Sequence, residues 1–225
     1  NRITLRITPR AETTHDLGEL HYFDENAVVD YAAPQTLTRD GDTYQLELVA
    51  ARQKGEVPDT LVLVEHPDVL TLGRSAKREN LLPGAAGVPT FEVERGGDVT
   101  YHGPGQLVGY PILLLGEGER DLHRYLRNVE ELVLRTCASF GVPAERRPAL
   151  TGAWTVAPPP RKLASIGIAV KRWVTMHGFA LNVSTDLARF GLINPCGLEA
   201  TVMTSLAACA GRPVTLDEVK PVLIA

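Results

Sequence analysis

The spacing of apolar and polar residues predicts a chain that contains several short strands. Apolar runs at 61–65, 69–72 and 107–115 are rich in Val, Leu and Ile. Proline, glycine or charged residues bound each run, which is typical of buried strands. A weaker alternation over 1–7 predicts an edge strand. The three apolar runs are therefore predicted to be short, mainly buried strands.

Two longer runs have the period of two residues that strands show. They cover 162–170 and 173–183, and the charged pair Lys171-Arg172 separates them. Alternating segments joined by so short a polar link are typical of a β-hairpin. We therefore expect these two strands to pair with each other.

Helical periodicity is clearest over 121–140, where Gly141 ends the pattern. Its apolar residues at helical spacing are Leu122, Tyr125, Leu126, Val129, Leu132, Val133 and Phe140. A second helix is predicted over 43–54. The residues predicted to share its apolar face are Leu46, Val49 and Ala50. Thr215 and Glu218 have the spacing of a capping box and predict a short helix near the end of the sequence.

Residues 8–43 contain scattered turn formers with no sustained period, so the pattern predicts no element there, and the organisation of 1–43 stays open. The rest of the chain shows no internal repeat, low-complexity tract or linker. At 225 residues, it has the length of one sizeable domain. We expect a single mixed α/β domain over 1–225.

Composition excludes several classes of function. The net charge of −4 indicates neither a nucleic-acid groove nor a membrane-binding patch. No apolar run approaches the roughly 20 residues of a membrane span, and no signal-peptide pattern is present, so we expect a cytoplasmic protein. The cysteines, at 137, 196 and 209, are too few and too scattered for a disulfide framework or a zinc site. Cys137 lies within the predicted helix and is expected to pack in the core.

The segment 95–106, RGGDVTYHGPGQ, contains four glycines and places charged and aromatic side chains beside an unshielded backbone. Because a buried strand is predicted directly after it, the segment is suited to lining a pocket. A hairpin turn with ordinary polar loop residues explains the same composition equally well.

Cys196 is the strongest candidate for a nucleophile, since Pro195 and Gly197 flank it in a predicted turn. A structural turn cysteine explains the pattern equally well. Lys162 begins a predicted strand. It either ends that strand in solvent or, if it points inward beside a thiolate, accepts a proton. His102 and His177 are candidates for a base or for orienting a substrate, and their spacing from Cys196 does not match a metal site.

The motifs together carry a more specific signal than any one of them. RGGDVTYHGPGQ, KLASIG, HGFALNV and INPCG occur in that order, and VEHPDVLTLGR precedes them at 64–74. This series resembles the octanoyltransferases of lipoate biosynthesis, or lipoyl(octanoyl) transferases. The resemblance covers 43–206. Residues 8–43 depart from the family pattern, in which a helix follows the first strand.

The resemblance implies an enzyme that moves an octanoyl group from octanoyl-acyl carrier protein to a specific lysine of lipoyl domains. Such domains occur in the E2 subunits of 2-oxoacid dehydrogenases and in the glycine cleavage H protein. It also implies the mixed α/β fold of the biotin and lipoate protein ligases, with an antiparallel-rich sheet. No cofactor, metal, nucleic acid or membrane is implied.

Carried over to this sequence, the resemblance assigns an acyl-thioester intermediate to Cys196 and proton transfer to Lys162. The residues that it implies for binding the substrate are Arg95, Gly96, Gly97, Asp98, Val99, Thr100, Tyr101, His102, Ser165, Ile166, Gly167, Gly178, Phe179 and Ala180. We further expect the small residues on the paired strands to leave a slot for an eight-carbon chain. These residues are Ala164, Gly167, Gly178 and Ala180.

Two alternatives remain at this point. An ATP-dependent lipoate or biotin protein ligase shares the fold, but it activates its acid as an adenylate and needs no nucleophilic cysteine. A non-catalytic protein that binds an acyl group or its carrier would keep the scaffold without needing Cys196 or Lys162.

Overall fold

Two sheets form the centre of the structure, a computed structural model that describes residues 28–31, 39–195 and 199–225. The larger sheet has seven strands in the order β1-β2-β6-β10-β9-β8-β7. Their bounds are β1 Val28–Tyr31, β2 Thr60–Val64, β6 Gln106–Ile112, β7 Ala144–Arg147, β8 Leu150–Thr155, β9 Lys162–Lys171 and β10 Val174–Asn182. All neighbours in this sheet are antiparallel except β1 and β2, which are parallel.

The smaller sheet has three strands in the order β4-β3-β5. They are β3 (Val69–Leu72), β4 (Thr90–Glu92) and β5 (Val99–His102). Strand β3 lies in the middle, parallel to β4 and antiparallel to β5. Because β5 connects directly to β6, the glycine-rich segment links the two sheets.

Helices cover both faces of the larger sheet. They are α1 (Arg39–Gln53), α2 (Leu122–Ser139), α3 (Leu206–Ala210) and α4 (Leu216–Ile224). The apolar side of α2 packs with α3 and α4 on one face, where it meets side chains such as Phe179 and Leu181. On the opposite face, α1 packs on one end of the sheet through Leu48 and Val49. The rest of that face lies under the smaller sheet.

The structure confirms the mixed α/β fold class and most of the predicted elements. Strands β2, β3 and β6, the β9–β10 hairpin and α2 lie where the pattern placed them, within a few residues. The hairpin turns at Arg172-Trp173, where both residues have a positive φ, one position after the predicted link. The capping box of Thr215 and Glu218 is formed at the start of α4. The predictions for 1–7 and for the turn at Cys196 lie outside the described residues.

Helix α1 differs from its prediction in its start and in its buried face. It begins at Arg39, and it buries Gln45, Leu48 and Val49, whereas Leu46 and Ala50 face solvent. The prediction holds for Val49 and is wrong for Leu46 and Ala50, because it counted only apolar residues. A buried glutamine occupies part of the inward face, where Gln45 Oε1 accepts a 2.7 Å hydrogen bond from the His177 backbone N–H.

Among the described residues, five strands were not predicted: β1, which lies within 8–43, and β4, β5, β7 and β8. Strand β7, with the sequence AERR, is half-buried along its length. Its polar side chains form ion pairs, such as that of Arg146 with the buried Glu130. Such strands lack the apolar alternation by which strands are recognised. None of the helices in the described ranges is long and apolar enough to cross a membrane.

The corrected face of α1 predicts a specific stability pattern. Gln45→Ala should lower the free energy of unfolding by about 1–3 kcal/mol, because it leaves the buried His177 N–H without its acceptor. Gln45→Glu keeps that acceptor and should recover much of the loss at neutral pH. Leu46→Ala, one residue away on the exposed side, should change the free energy by less than about 0.5 kcal/mol. Urea denaturation of the three variants measures these differences, and an equal loss in Gln45→Ala and Leu46→Ala would contradict the assignment.

Candidate functional site

A cavity of about 70 Å³ lies between the two sheets. It brings together all the predicted site residues except Tyr101 and Cys196, and Cys196 lies outside the described residues. The predicted residues that line it are Arg95, Gly96, Gly97, Asp98, Val99, Thr100, His102, Lys162, Ser165, Ile166, Gly167, Gly178, Phe179 and Ala180. The lining residues outside that predicted set are His66, Val69, Thr71, Val93, Val108, Tyr110 and His177. Segments distant in sequence thus meet at one concave site.

Lys162 reaches this cavity because of an irregularity in strand β9. Ala153 pairs with Ala164, but the next residue of β8, Trp154, pairs with Lys162. Leu163 is therefore an extra residue on β9, which is the definition of a β-bulge. Without it, the alternation of the strand would turn Lys162 towards the core that α2 covers. The bulge turns the lysine to the cavity side instead.

The lysine is almost fully enclosed. Its exposed fraction is 5%, and Nζ lies 5.5 Å from the centre of the Trp154 ring. Gly152, with φ +123°, lies beside it, and a Cβ there would come 3.0 Å from Lys162 Cε and 2.3 Å from Ala164 O. Of the two alternatives for Lys162, the structure shows the inward one, and the lysine is not a solvent-exposed strand end. Its role in proton transfer stays a prediction.

The glycines of the paired strands do not leave the open slot that the sequence analysis predicted. A Cβ on Gly178 would lie 2.3 Å from Gly109 O, and one on Gly167 would lie 2.8 Å from Gly96 O. Both positions are therefore filled by neighbouring backbone. Ala164 faces the α2 side, in the core cluster that includes Leu163. Ala180 is the small residue of the predicted set that presents a side chain to the cavity.

The loop from 93 to 98 forms one wall of the cavity and is held from two directions. Gly96 N–H donates a 2.9 Å hydrogen bond to Ile168 O on β9, which joins the loop to the larger sheet. The Arg95 guanidinium donates to Thr71 O at 2.8 Å and to Thr71 Oγ1 at 2.9 Å, which joins it to the smaller sheet. Asp98 accepts hydrogen bonds from the backbone N–H of Val99 and of Lys77. These hydrogen bonds hold the loop against both sheets.

Tyr101 points away from the cavity because it alternates with the inward residues Thr100 and His102 on β5. Its hydroxyl donates a 2.6 Å hydrogen bond to Asp68 Oδ1, and its ring packs edge-on against Phe190 at 5.3 Å. Burial and the bond to Asp68 raise the pKa of Tyr101 well above its ordinary value. The structure thus places Tyr101 in the outer core of the smaller sheet, away from the other predicted site residues.

Three histidines lie in the wall of the cavity, each less than a tenth exposed. Burial lowers the pKa of His66 and of His177 to about 4. Burial, with smaller effects from His66 and Arg95, lowers the pKa of His102 to about 3. All three imidazoles are therefore neutral near pH 7. They interact with a ligand as dipoles and hydrogen-bonding groups, without a full charge.

Tyr110 connects two of these histidines. Its hydroxyl lies 2.7 Å from His66 Nε2, and its ring stands edge-on to the His177 ring at 6.3 Å. His66 Nδ1 and His177 Nε2 are buried without a hydrogen-bond partner among the described residues. These aromatic rings form a cavity wall with an apolar surface and a few polar atoms, as small-molecule sites commonly have.

The chain on both sides of Cys196 is anchored near this site. Asn194 N–H donates a 2.9 Å hydrogen bond to Asn80 O. After Cys196, the chain returns to β9, where Met203 forms a parallel bridge with Lys162 and Thr204 N–H donates to Lys162 O at 3.0 Å.

The other two cysteines have different environments. Cys137 is fully buried in α2, and burial raises its pKa to about 12, as expected for the packing role predicted for it. Cys209 is exposed. Within the described ranges, no group of three or more His, Cys, Asp or Glu side chains has the arrangement of a metal site.

The buried histidines predict a loss of stability in mild acid. Since the pKa of His66 is about 4 in the folded protein and about 6.5 when unfolded, the unfolded state binds more protons between these values. Stability is therefore full above pH 6.5 and falls as the pH drops towards 4. His66→Gln should reduce the difference in unfolding free energy between pH 7.5 and pH 5 by about 2 kcal/mol. Urea denaturation at both pH values measures it.

The matched control for this prediction is His123→Gln, because His123 is exposed at the start of α2. That substitution should leave the pH difference unchanged. If both histidine variants lose the same amount of pH dependence, burial of His66 is not its cause.

Comparison with known proteins places the chain in a family. Residues 43–225 match the model of the lipoyl protein ligase A/B catalytic domain. The chain is 56% identical over 176 residues to an octanoyltransferase of Geobacter metallireducens, which covers 78% of this chain and 80% of that protein. It is 48% identical over 205 residues to an octanoyltransferase of Syntrophotalea carbinolica, which covers 91% of this chain and 87% of that protein.

Solved structures show the same fold at much lower identity. A structure of the bipartite lipoate protein ligase and its E2 lipoyl domain from Thermoplasma acidophilum aligns with a TM-score of 0.68 and 18% identity, over 88% of this chain and 79% of that one. Lipoate-protein ligase A bound with ATP aligns with a TM-score of 0.62 and 16% identity, over 80% of this chain and 77% of that one. The resemblance seen in the sequence motifs and the ligase-like fold are therefore confirmed. The chain belongs to the octanoyltransferases, an acyltransferase family built on the lipoyl protein ligase A/B catalytic domain.

Proposed function

We propose that this protein transfers an octanoyl group from octanoyl-acyl carrier protein to a specific lysine of lipoyl domains. The acceptors are the lipoyl domains of 2-oxoacid dehydrogenase E2 subunits and the glycine cleavage H protein. The transfer passes through a thioester on Cys196, and Lys162 moves the protons. The reaction takes place within one catalytic domain. The observation that supports this best is the enclosed Lys162 on the wall of a cavity, in a chain that belongs to the octanoyltransferases.

The surroundings of Lys162 suit a proton carrier. A buried ammonium without full hydration loses its proton more easily than one in water, and a neighbouring thiolate counteracts that loss. Because these two effects oppose each other, they can bring the pKa values of an amine and a thiol close together, which is what proton transfer in general acid–base catalysis needs. The anchoring of Met203 and Thr204 to Lys162 supports a role for Cys196 beside it, because only six residues separate Cys196 from Met203.

The chemistry balances without a nucleotide. In the first half-reaction, the Cys196 thiolate attacks the donor thioester, a new C–S bond forms, and the pantetheine thiol leaves with a proton from Lys162. In the second half-reaction, the neutral amine of the acceptor lysine attacks the enzyme thioester. The amide C–N bond forms, the C–S bond to Cys196 breaks, and Lys162 takes the proton that the amine loses, which restores the Cys196 thiolate and the protonated lysine. Exchange between thioesters is nearly isoenergetic and amide formation is downhill. Backbone N–H donors would stabilise the oxyanion of each tetrahedral intermediate.

An ATP-dependent ligase is the second candidate, favoured by the shared fold with lipoate-protein ligase A. Such an enzyme would act on the free acid through an adenylate. A distinguishing requirement follows, since the ligase needs ATP, whereas the transferase needs only the acylated carrier protein.

Intact-mass measurement after mixing with octanoyl-acyl carrier protein, without ATP, tests the proposal. The wild-type protein should gain the mass of one octanoyl group and lose it when a lipoyl domain is added. Cys196→Ala should gain none. Lys162→Ala should be acylated at least about 100-fold more slowly, because the proton carrier is lost.

Cys209→Ser is the matched control for the cysteine, because Cys209 is an exposed thiol on α3. It should acylate like wild type. Acylation that depends on Cys209, or lipoyl-domain modification only when ATP and free acid are supplied, would contradict the transferase mechanism. Binding without any transfer would leave a non-catalytic protein.

The cavity also predicts how the length of the acyl chain that the site accepts can be changed. Ala180→Leu adds three carbons to a side chain that packs with Val64 and with the cavity-lining Val108. It should lower kcat/KM for the octanoyl donor by at least about tenfold while a butanoyl donor is affected less, because one lost methylene contact costs up to a few kcal/mol. Ala138→Leu, on the exposed side of α2, should change neither value. An equal loss for both donors in a folded Ala180→Leu protein would place the acyl chain elsewhere.

A further inference from the structure

A continuous chain of hydrogen bonds runs from the cavity wall to the backbone of Lys162. It includes two buried amide side chains, Gln106 and Asn182, whose exposed fractions are 2% and 1%. His102 Nδ1 lies 2.8 Å from Gln106 Oε1, and Gln106 Nε2 donates to Asn182 Oδ1 at 3.0 Å. Asn182 Nδ2 donates to Thr204 O at 3.0 Å. The next bond in the series is that of Thr204 N–H to Lys162 O.

The direction of donation along this series of hydrogen bonds is determined by its last acceptor. Thr204 O is a carbonyl and can only accept, so the Asn182 amide must turn its NH₂ group towards it and its oxygen towards Gln106. Gln106 must then donate to that oxygen, and its own oxygen faces His102. His102 therefore carries its proton on Nδ1 and leaves Nε2 as an acceptor.

The hydrogen bonds at the other end of the series, around His102, agree with this assignment. Thr71 Oγ1 lies 3.4 Å from His102 Nε2, and it accepts from the Arg95 guanidinium. With its lone pairs occupied by Arg95, Thr71 directs its hydroxyl proton to His102 Nε2. One consistent direction of donation thus extends from Arg95, in the loop between the sheets, to the segment that follows Cys196.

We propose that Gln106 and Asn182 are positioning residues for acyl transfer: they fix the segment that returns from Cys196 against the strand of Lys162, and they fix the tautomer of His102. This inference rests on the proposed transferase function and deepens it. Neither residue touches the reacting atoms. Each acts by orienting groups that do, because the segment 203–204 is bonded to Lys162 through its backbone and to the larger sheet through Asn182.

Asn182→Asp tests this idea with almost no change in shape. The carboxyl keeps the oxygen that accepts from Gln106. When ionised, it presents a second acceptor to Thr204 O and repels it, whereas the protonated acid can donate to Thr204 O as the amide does. Burial favours the protonated form. We expect kcat/KM for octanoyl transfer to be about 10- to 100-fold below wild type at pH 8, and the ratio of variant to wild type to rise towards one as the pH falls to 6.

The ratio of variant to wild-type kcat/KM reports the titration of the introduced carboxyl alone, because the surrounding titratable groups are present in both proteins. They are His102 and His66 on the cavity side, Cys209 beside Thr204, Arg95 and Lys162. A matched control is Gln53→Glu. Gln53 Nε2 donates to Lys171 O at 2.8 Å, so this change removes the same kind of bond at the opposite end of β9. Its ratio to wild type should stay within about twofold at both pH values.

Melting temperature, measured at each pH, shows whether the variants are folded. If Asn182→Asp is unfolded at the assay temperature, Gln106→Glu provides the same test, since its carboxyl still accepts from His102 but donates to Asn182 only when protonated. A ratio that is constant between pH 6 and pH 8 in folded protein would overturn the positioning role. Absence of octanoyl transfer by the wild-type protein would instead refute the proposed function itself.

Discussion

The site depends on the close approach of the loop 93–98 to strand β9. The two sheets of the protein meet there through one backbone hydrogen bond, from Gly96 to Ile168, and Gly167 is the position at which a side chain would prevent it. A Cβ on Gly167 would collide with the loop, so the sheets could not close to the present separation. The glycines thus serve to bring backbone to backbone, which creates an enclosed space between two rigid walls.

Enclosure determines the electrostatics of this space. Three imidazoles and the side chain of Lys162 lie in the wall of this cavity, and desolvation is the main cause of the low pKa of each histidine. Neutral imidazoles are compatible with an apolar acyl chain, whereas charged ones at the same positions would oppose its binding. The lysine keeps its place through the aromatic ring of Trp154 and through a bulge that costs β9 one regular pair. Local irregularity of a strand is a common way to direct a side chain into a site.

The fold is shared with a lipoate-protein ligase A whose solved structure has ATP bound, so the fold does not by itself determine the reaction. Under the proposed mechanism, transfer differs from ligation in the activated acyl group that the site accepts and in the use of Cys196 as a nucleophile. Identity of 56% to an octanoyltransferase over most of the chain places this protein on the transferase side of the family. The polar chain through Gln106 and Asn182 illustrates how residues outside the cavity can serve the same chemistry.

The sequence by itself determined the fold class, the family and most of the elements. Buried strands and amphipathic helices can be recognised from the local spacing of apolar residues. The ordered motifs likewise indicated which residues line the cavity. Only the tertiary structure decided the inward face of α1, the strands β1, β4, β5, β7 and β8, and the orientation of Tyr101 and Lys162. Each of these depends on partners distant in sequence: Gln45 is inward because it meets His177, and Lys162 because β8 imposes a bulge on β9. A period of two or 3.6 residues cannot encode such a contact, since register and bulges are set by the neighbouring strand.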